Sequence, residues 1–340
     1  MHHRQNILQQ WLKNTLGTYT IISLTGDASF RQYFRVQSDT KSYILMDAPP
    51  EKETLDPFIF IAQLFQDHRI AAPKIYATNA EHGFLLLEDF GDTLLLDTVS
   101  QYSPDKYYHQ ALNLLQQIQD IPPAQYAHLP LFNVTFMQQE CHLLEQWLCP
   151  YLQLSLPTRG TQLLHQGISN LVEEIAQQPQ TIIHRDYHSR NLMIVPANDS
   201  TLMPSLGVLD FQDAMIGPCT YDAVSLLKDC YIVWPPAKIE RWLRYYYERS
   251  GSKLSWDAFV YYFHLSGLQR HIKVLGIFSR LYLRDQKSRY LDDLPRVHAY
   301  VMQVLPLFKS LQPLHLFFEE YIPCIPLSSS VRVGESVYAP

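Results

Sequence analysis

The sequence has no excess of positive charge and no long apolar run, and each absence excludes a class of function. Its 27 lysine and arginine residues are outnumbered by 33 acidic residues, which gives a net charge of −6. Proteins that bind nucleic acid usually carry a basic field, so nucleic acid is not an expected partner. No apolar run approaches the roughly 18 residues of a membrane span, and the negative charge disfavours an anionic lipid surface. We therefore expect no membrane partner.

The five cysteines, at positions 141, 149, 219, 230 and 324, lack the CxxC spacing of a zinc site. Their odd number and scattered positions are typical of reduced thiols, which indicates a cytoplasmic protein. The amino terminus lacks the apolar core of a signal peptide, and residues 6–16 instead favour a polar-faced helix. We expect the protein to act as a monomer.

The chain is long and apolar enough for two lobes. Of its 340 residues, 47% are hydrophobic and 18% charged, which is typical of a globular protein. Residues 1–90 predict an N-lobe of antiparallel strands crossed by one helix, which Asp56-Pro57 begins. Residues 91–322 predict a larger helical C-lobe, and residues 323–340 predict a poorly ordered tail. The predicted fold class is α+β with two lobes.

One stretch of the C-lobe carries the chemistry, and it reads His184-Arg185-Asp186-Tyr187-His188-Ser189-Arg190-Asn191. A second acidic strand end, at Asp210, follows nineteen residues after Asn191. This spacing predicts a phosphoryl-transfer site in which Asp186 is the base that orients the attacking hydroxyl. Asn191 and Asp210 supply the hard oxygen ligands that Mg²⁺ prefers. Arg190 is predicted either to pair with a phosphate or to brace the loop.

Two stretches of the N-lobe predict contacts with a nucleotide. A turn of small residues between two predicted strands contains Ser29, Phe30 and Arg31, and such a turn is able to close over phosphates through its N–H groups. Most turns of this kind only join a hairpin. An apolar strand ends in Glu88, Asp89 and Phe90, where a joint between lobes offers backbone groups to adenine.

Four residues near the centre have less specific roles. His184 is predicted to hold the backbone of the loop. Asp222 is either a favourable acid at a helix start or a brace beneath the loop, and we favour the brace. Gln212 and Asp213 face either the sugar or the phosphates, and spacing alone does not assign them.

At these residues the sequence resembles the aminoglycoside phosphotransferase/choline kinase family, over about residues 20–310. The resemblance is closer still to the bacterial anomeric kinases of N-acetylmuramate and N-acetylglucosamine, on the stretches Gly26 to Arg35, Met46-Asp47-Ala48-Pro49-Pro50, Asp210 to Ala214 and Gly267 to Phe278. It implies a two-lobed protein-kinase-like fold, ATP and Mg²⁺ as cofactors, and an amino sugar phosphorylated at its 1-hydroxyl in peptidoglycan recycling. Within the family pattern, Asp186 is the base, and Asn191 and Asp210 are the metal ligands.

One position departs from the common kinase pattern. The third strand of a kinase normally ends in a lysine that pairs with ATP phosphates, but here it ends in Met46-Asp47. Either another cation, such as Arg31 or Arg35, reaches the phosphates, or nucleotide binding is weak.

The helix predicted from Ser255 carries a basic stripe of Arg270, Lys273, Arg280 and Arg284. The default interpretation is a solvated charged face. The alternative is that Arg270, His271 or Lys273 binds the lactyl carboxylate of N-acetylmuramate.

Competing functions remain open on the sequence alone. A kinase of aminoglycosides or amino alcohols would need an acidic pocket for a cationic substrate, and the basic stripe disfavours it. A non-catalytic nucleotide-binding protein is suggested by the missing lysine, but it would have no need of a base at Asp186.

Overall fold

The chain divides into two units, each built from two separate segments. The sheet unit comprises residues 1–93 and 193–213, and the helical unit comprises residues 94–192 and 214–340. The computed structural model describes residues 2–24, 30–39, 41–99, 103–196 and 204–325. The candidate phosphate contact Ser29 lies outside the described residues, as do residues 326–340 of the predicted tail.

The sheet unit is built on a five-stranded antiparallel sheet with the strand order β1-β2-β3-β5-β4, preceded by one helix and crossed by another. The bounds are α1 His2–Leu16, β1 Tyr19–Leu24, β2 Gln32–Ser38, β3 Ser42–Asp47, α2 Asp56–Asp67, β4 Ile75–Asn79 and β5 Phe84–Glu88. The predicted N-lobe strands and crossing helix are confirmed. Helix α2 begins at Asp56 itself, with Leu55 at the N-cap position and the acid in the first turn.

The helical unit contains the remaining helices and the β6–β9 pair. Its helices are α3 Leu95–Val99, α4 Pro104–Gln119, α5 Pro123–Tyr126, α6 Val134–Leu143, α7 Cys149–Tyr151, α8 Thr158–Ile175, α9 Tyr221–Leu227, α10 Pro236–Arg249, α11 Trp256–Leu283, α12 Leu294–Val304 and α13 Gln312–Tyr321. A π-helical segment, Leu144–Leu148, continues α6, and 3-10 segments occur at Ser288–Asp293, Leu305–Leu307 and Lys309–Leu311. The short strands are β6 Gln180–Ile183 and β9 Met215–Pro218. No described helix is both long and apolar enough to cross a membrane.

A β-hairpin leads from the stretch that ends at Asn191 to the second acidic strand end at Asp210. It consists of β7 Leu192–Val195 and β8 Ser205–Val208. From Met193 onward it belongs to the sheet unit, where the Val208 N–H donates to the Ala71 carbonyl at 2.7 Å. The hairpin thus ends at Asp210 inside a unit whose other residues come from the first 93 positions.

Each unit has its own apolar core. In the sheet unit, Leu8 and Leu12 of α1 pack with Val36, Leu45, Phe84 and Leu86 of the sheet. In the helical unit, α11 is the central element, and its residues from Leu265 to Gly276 are buried without interruption. A helix buried on every side has no solvated face. The combination of an antiparallel sheet with a mainly helical remainder confirms the predicted α+β class.

Candidate active site

The stretch from His184 to Asn191 forms a loop between β6 and β7. Strand β6 pairs with β9 in antiparallel register, with Ile183 opposite Met215 and Gln180 opposite Pro218, so β9 runs away from the loop. The helix α9 that follows β9 brings Asp222 back to the loop. At the start of that helix, the Asp222 carboxylate accepts hydrogen bonds from the His184 N–H at 2.6 Å and the Arg185 N–H at 3.0 Å. Burial raises the pKa of Asp222, and these two donors and His184 oppose that rise. Asp222 therefore holds the first two peptide groups of the loop.

Asp186, the predicted base, keeps part of its side chain exposed. Its side chain is 39% exposed, and Arg270 Nη1 lies 3.2 Å from its Oδ1 atom. Burial raises the pKa of Asp186, but the positive charges of Lys273 and Arg270 outweigh that effect and hold the pKa well below its usual range. Asp186 is consequently an ionised carboxylate at neutral pH.

The residue before Asp186 has an unusual backbone conformation. Arg185 has a φ of 76°, in the left-handed region that costs a non-glycine residue about 1–3 kcal/mol and persists only where the surroundings enforce it. The enforcing contacts are visible on three sides. The N–H is held by Asp222, the carbonyl accepts from Arg270 Nη1 at 2.6 Å, and the guanidinium donates to Glu140 at 2.8 Å.

Asn191 lies beside the backbone of Asp186. Its Nδ2 atom donates to the Asp186 carbonyl at 3.0 Å, and its N–H donates to the His188 carbonyl at 2.9 Å. These bonds fix the side-chain amide of Asn191, five residues after Asp186. Arg190 is half-buried, with its guanidinium 4.7 Å from the centre of the Tyr231 ring.

Asp229 holds the second half of the loop, and the sequence reasoning missed it. Its buried carboxylate accepts from the Ser189 N–H at 2.9 Å, from Ser189 Oγ at 2.6 Å and from the Tyr231 N–H at 2.9 Å. Since Asp222 begins α9 and Asp229 follows its end, the two ends of one short helix hold the two ends of the loop. The available signal was an acid inside the apolar run from Leu226 to Ile232.

Glu140 is a second residue that the sequence reasoning missed. It lies on α6 and accepts from Arg185 at 2.8 Å, from Lys273 at 3.0 Å and from Gln269 at 3.1 Å. Burial raises the pKa of Glu140, but the positive charges of Lys273 and Arg185 outweigh that effect, so the pKa lies below its usual value. The polar sequence around Glu140 gives no sign of this role, because its partners come from distant parts of the chain.

The basic stripe of α11 is not a solvated face. Arg270 and Lys273 are only 2% and 4% exposed. The interpretation of a solvated charged face is therefore wrong for both residues. His271 is 1% exposed, and its Nε2 atom donates to the Lys228 carbonyl at 3.0 Å. Arg280 is half-buried, and only Arg284 is exposed. All three residues considered for the substrate carboxylate, Arg270, His271 and Lys273, therefore already bond to protein groups.

The sheet unit carries the residues predicted around the second acidic strand end. Asp210 is exposed and has a φ of 61°, and its Oδ1 atom accepts from Gln212 Nε2 at 2.8 Å. Between them, the Phe211 ring packs at 4.8 Å from Phe58 and 5.5 Å from Phe65, the apolar face of α2. This packing anchors the turn that presents Asp210. Asp213 is exposed.

The candidate adenine joint follows β5. The Glu88 N–H donates to the Lys74 carbonyl at 2.8 Å within the sheet. The Asp89 carboxylate is 2.7 Å from Arg35, which also pairs with Asp92 at 2.8 Å. Phe90 is buried, and its ring lies where a Cβ atom on Gly207 would approach it to 2.4 Å.

The two arginines considered as replacements for the missing lysine are both paired with carboxylates. Arg35 is held by the acids of the joint, and Arg31 forms an ion pair with Glu53. The neighbouring Phe30 is 68% exposed. Met46, at the position of the common lysine, is fully buried and opposite Leu85 in the sheet, so the strand end itself offers no cation.

The described residues contain no group of three or more histidine, cysteine or acidic side chains arranged around a metal ion. Asn191 and Asp210 offer only oxygen donors, which suit Mg²⁺ and not zinc. Each of these two residue types suits Mg²⁺, which usually keeps several water ligands and binds substrate phosphates.

Comparisons with known proteins agree with this chemistry. Residues 20–259 match the model of the phosphotransferase enzyme family (APH). An N-acetylmuramate/N-acetylglucosamine kinase of Pseudomonas putida is 38% identical over 302 residues, which cover 87% of this chain and 86% of that protein.

Solved structures show the same fold at low identity. An ethanolamine kinase of Plasmodium vivax superposes with a TM-score of 0.63 at 14% identity, over 88% of each chain. A GDP complex of aminoglycoside 2'-phosphotransferase-IIIa superposes with a TM-score of 0.62 at 16% identity, over 86% of this chain and 98% of that one. The predicted two-lobed kinase-like fold is confirmed. The chain belongs to the phosphotransferase enzyme family.

Proposed function

We propose that the protein is an ATP-dependent kinase that phosphorylates the anomeric (1-) hydroxyl of N-acetylmuramate, N-acetylglucosamine or both. The observation that carries the proposal is the 38% identity, over most of the chain, to a relative named for both sugars. The loop that presents an ionised Asp186 beside Asn191 supports it, because phosphoryl transfer needs a positioned carboxylate near the acceptor hydroxyl. The protein would act in the cytoplasm as a monomer, in peptidoglycan recycling.

In this reaction Asp186 orients the sugar hydroxyl and accepts its proton as the oxygen attacks the γ-phosphorus of ATP. The bond from that phosphorus to the β,γ-bridging oxygen breaks, and ADP leaves. An anomeric hydroxyl is more acidic than an ordinary alcohol, so a carboxylate of low basicity is adequate. Positioning and charge stabilisation contribute most of the rate in such transfers.

The proposed nucleotide contacts lie in the sheet unit. Glu88, Asp89 and Phe90 would offer backbone groups to adenine, and Phe30 and Arg31, with Ser29, would lie near the phosphates. Magnesium, held by Asn191 and Asp210, would neutralise charge on the phosphates when bound. Arg190 would pair with a phosphate, and Gln212 and Asp213 stay candidate contacts to sugar or phosphate.

The experiment that tests the proposal is ATP consumption against a panel of acceptors. The panel contains both amino sugars, their 1-O-methyl glycosides, choline and an aminoglycoside. We expect turnover with the free sugars and none with the glycosides, whose anomeric oxygen is blocked. Phosphorus NMR of the product then locates the phosphate. Turnover with choline or the aminoglycoside alone, or a phosphate at another hydroxyl, would refute the proposal.

A further inference from the structure

Arg270 makes its two closest polar contacts with the carboxylate of Asp186, the proposed base, and with the carbonyl of Arg185. Its Nη1 atom donates to the Arg185 carbonyl at 2.6 Å and to Asp186 Oδ1 at 3.2 Å. Arg270 belongs to the part of α11 that is buried on every side. A buried arginine loses the solvation of its charge and must recover that loss from fixed partners. Here those partners are the loop and its carboxylate.

We propose that Arg270 is a positioning residue: it holds the Asp186 carboxylate and the preceding peptide group in place for phosphoryl transfer, and it does not bind the sugar. The inference rests on the proposed role of Asp186 as the base. It differs from the hypothesis that Arg270 meets a substrate carboxylate, and the two make opposite predictions.

The first argument concerns the peptide group between Arg185 and Asp186. The left-handed conformation of Arg185 would relax if its neighbours released it. Asp222 fixes the preceding peptide group through the Arg185 N–H at 3.0 Å. In the peptide group between Arg185 and Asp186, the Asp186 N–H donates to His184 Nδ1 at 3.3 Å, and Arg270 holds the carbonyl at 2.6 Å. Because the side chain of Asp186 leaves the backbone directly after this peptide group, rotation of the peptide would move the carboxylate. Arg270 thus fixes the direction in which the base points.

The second argument concerns charge. Two cations, Arg185 and Lys273, lie against Glu140 at 2.8 and 3.0 Å. Arg270 instead faces Asp186, which is its ion-pair partner among the described residues. An anionic group of the substrate would have to compete with that carboxylate for a side chain that is almost entirely enclosed. The geometry therefore directs the charge of Arg270 to the base.

The test compares Arg270→Met and Arg270→Lys with a matched control, Arg296→Met. Arg296 is similarly buried and donates through its Nη1 atom to the Cys230 carbonyl at 2.5 Å and to Asp293 at 2.9 Å, neither of which belongs to the loop from His184 to Asn191. We expect Arg270→Met to lower kcat about 10²-fold, the loss typical of a misplaced catalytic group, by the same factor with N-acetylmuramate and N-acetylglucosamine. KM for both sugars and for ATP should be unchanged. Arg270→Lys should recover part of the loss, and Arg296→Met should retain wild-type kcat.

A double variant shows whether Arg270 acts through the base. In an Asp186→Asn background, Arg270→Met should cause no further loss of kcat, because there is no ionised carboxylate left to hold. A full additional loss would overturn the inference. So would a rise in KM confined to N-acetylmuramate, which would assign Arg270 to the substrate carboxylate, or a wild-type kcat in both Arg270 variants.

Two further outcomes remain decisive. If Arg270→Met does not fold, Arg270→Lys carries the same comparison between the two sugars. If the wild type turns over neither sugar, the proposed function fails, and a double-variant cycle in urea unfolding midpoints tests the pair independently of any acceptor. Additive shifts for Asp186→Asn and Arg270→Lys would then overturn the inference, and non-additive shifts would support it.

Discussion

Lys228, at the end of α9, is a buried cation without a carboxylate partner among the described residues. It is 8% exposed, its Nζ atom lies 3.3 Å from His264 Nδ1, and the rings of Phe263 and Tyr300 lie 5.7 and 5.9 Å away. Burial lowers the pKa of Lys228 from 10.5 to about 8, and it lowers the pKa of His264 as well. Replacing Lys228 by Met should therefore stabilise the protein.

The magnitude follows from the two pKa values. Below pH 8 the amine is protonated in both the folded and the unfolded chain, and the folded chain bears the full cost of a buried charge. At about 1.4 kcal/mol per pH unit, the difference between 10.5 and about 8 corresponds to about 3 kcal/mol. Between pH 8 and 10.5 the unfolded chain binds the proton and the folded chain does not, so wild-type stability rises with pH. Above 10.5 the cost has disappeared.

Lys228→Met should thus raise the free energy of unfolding by about 2–3 kcal/mol at pH 7, after allowance for the lost ring contacts. The gain should shrink towards zero by pH 10.5. Urea unfolding followed by tryptophan fluorescence suits the measurement, because four of the five tryptophans, all except Trp11, belong to the helical unit. Lys309→Met, at an exposed position, controls for the loss of one positive charge. A gain that is constant with pH, or a loss of stability at pH 7, would refute the reasoning.

Three other predictions concern the loop and the core. Asp186→Asn should reduce turnover about 10²–10⁴-fold by removing the base, while calorimetry shows ATP still bound; near-wild-type turnover would remove Asp186 from that role. Asp229→Asn should reduce kcat and raise the Mg²⁺ concentration needed for half-maximal rate, because it weakens the charge-assisted bonds to Ser189. Ser189→Ala loses only the hydroxyl bond, so a greater loss in that variant than in Asp229→Asn would contradict the interpretation. Gly276→Ala should destabilise the protein by about 1–3 kcal/mol, since the added Cβ would lie 2.4 Å from the Leu143 carbonyl carbon. An unchanged thermal midpoint would show that α6 moves aside at little cost.

The parts of the fold that the sequence predicts are those set by local patterns. Helix α2 was predicted from Asp56-Pro57 and an apolar face, and those apolar residues are buried where the pattern placed them. The loop was also found locally, because Asp186 and Asn191 are five residues apart. Helix α13, Gln312–Tyr321, was not predicted as a separate element, although its Leu314, Phe317 and Phe318 are buried in the core of the helical unit.

The residues that sequence reasoning missed depend on contacts between distant segments. Glu140 precedes its partner Lys273 by 133 positions, and no local pattern links them. Asp229 reaches Ser189 from 40 positions away. The basic stripe misled for a different reason: its spacing defines one side of α11, but the periodicity does not reveal whether another helix covers that side. The available warning was the presence of apolar Val274 and Leu281 on the same side as the stripe, and both are buried.

The hairpin that ends at Asp210 has a consequence for how the protein can be divided. Its strands are bonded to Ala71 and Thr93, and Phe211 fills the space beside α2. A fragment that stops at residue 93 would lack this hairpin, and Phe58 and Phe65 of α2 would lose their contacts with the Phe211 ring. The sheet unit therefore cannot be expressed as one continuous segment of the chain. A ribosome has made more than half of the chain before the last residues of this unit exist, so the unit completes its core only after much of the other one has been synthesised.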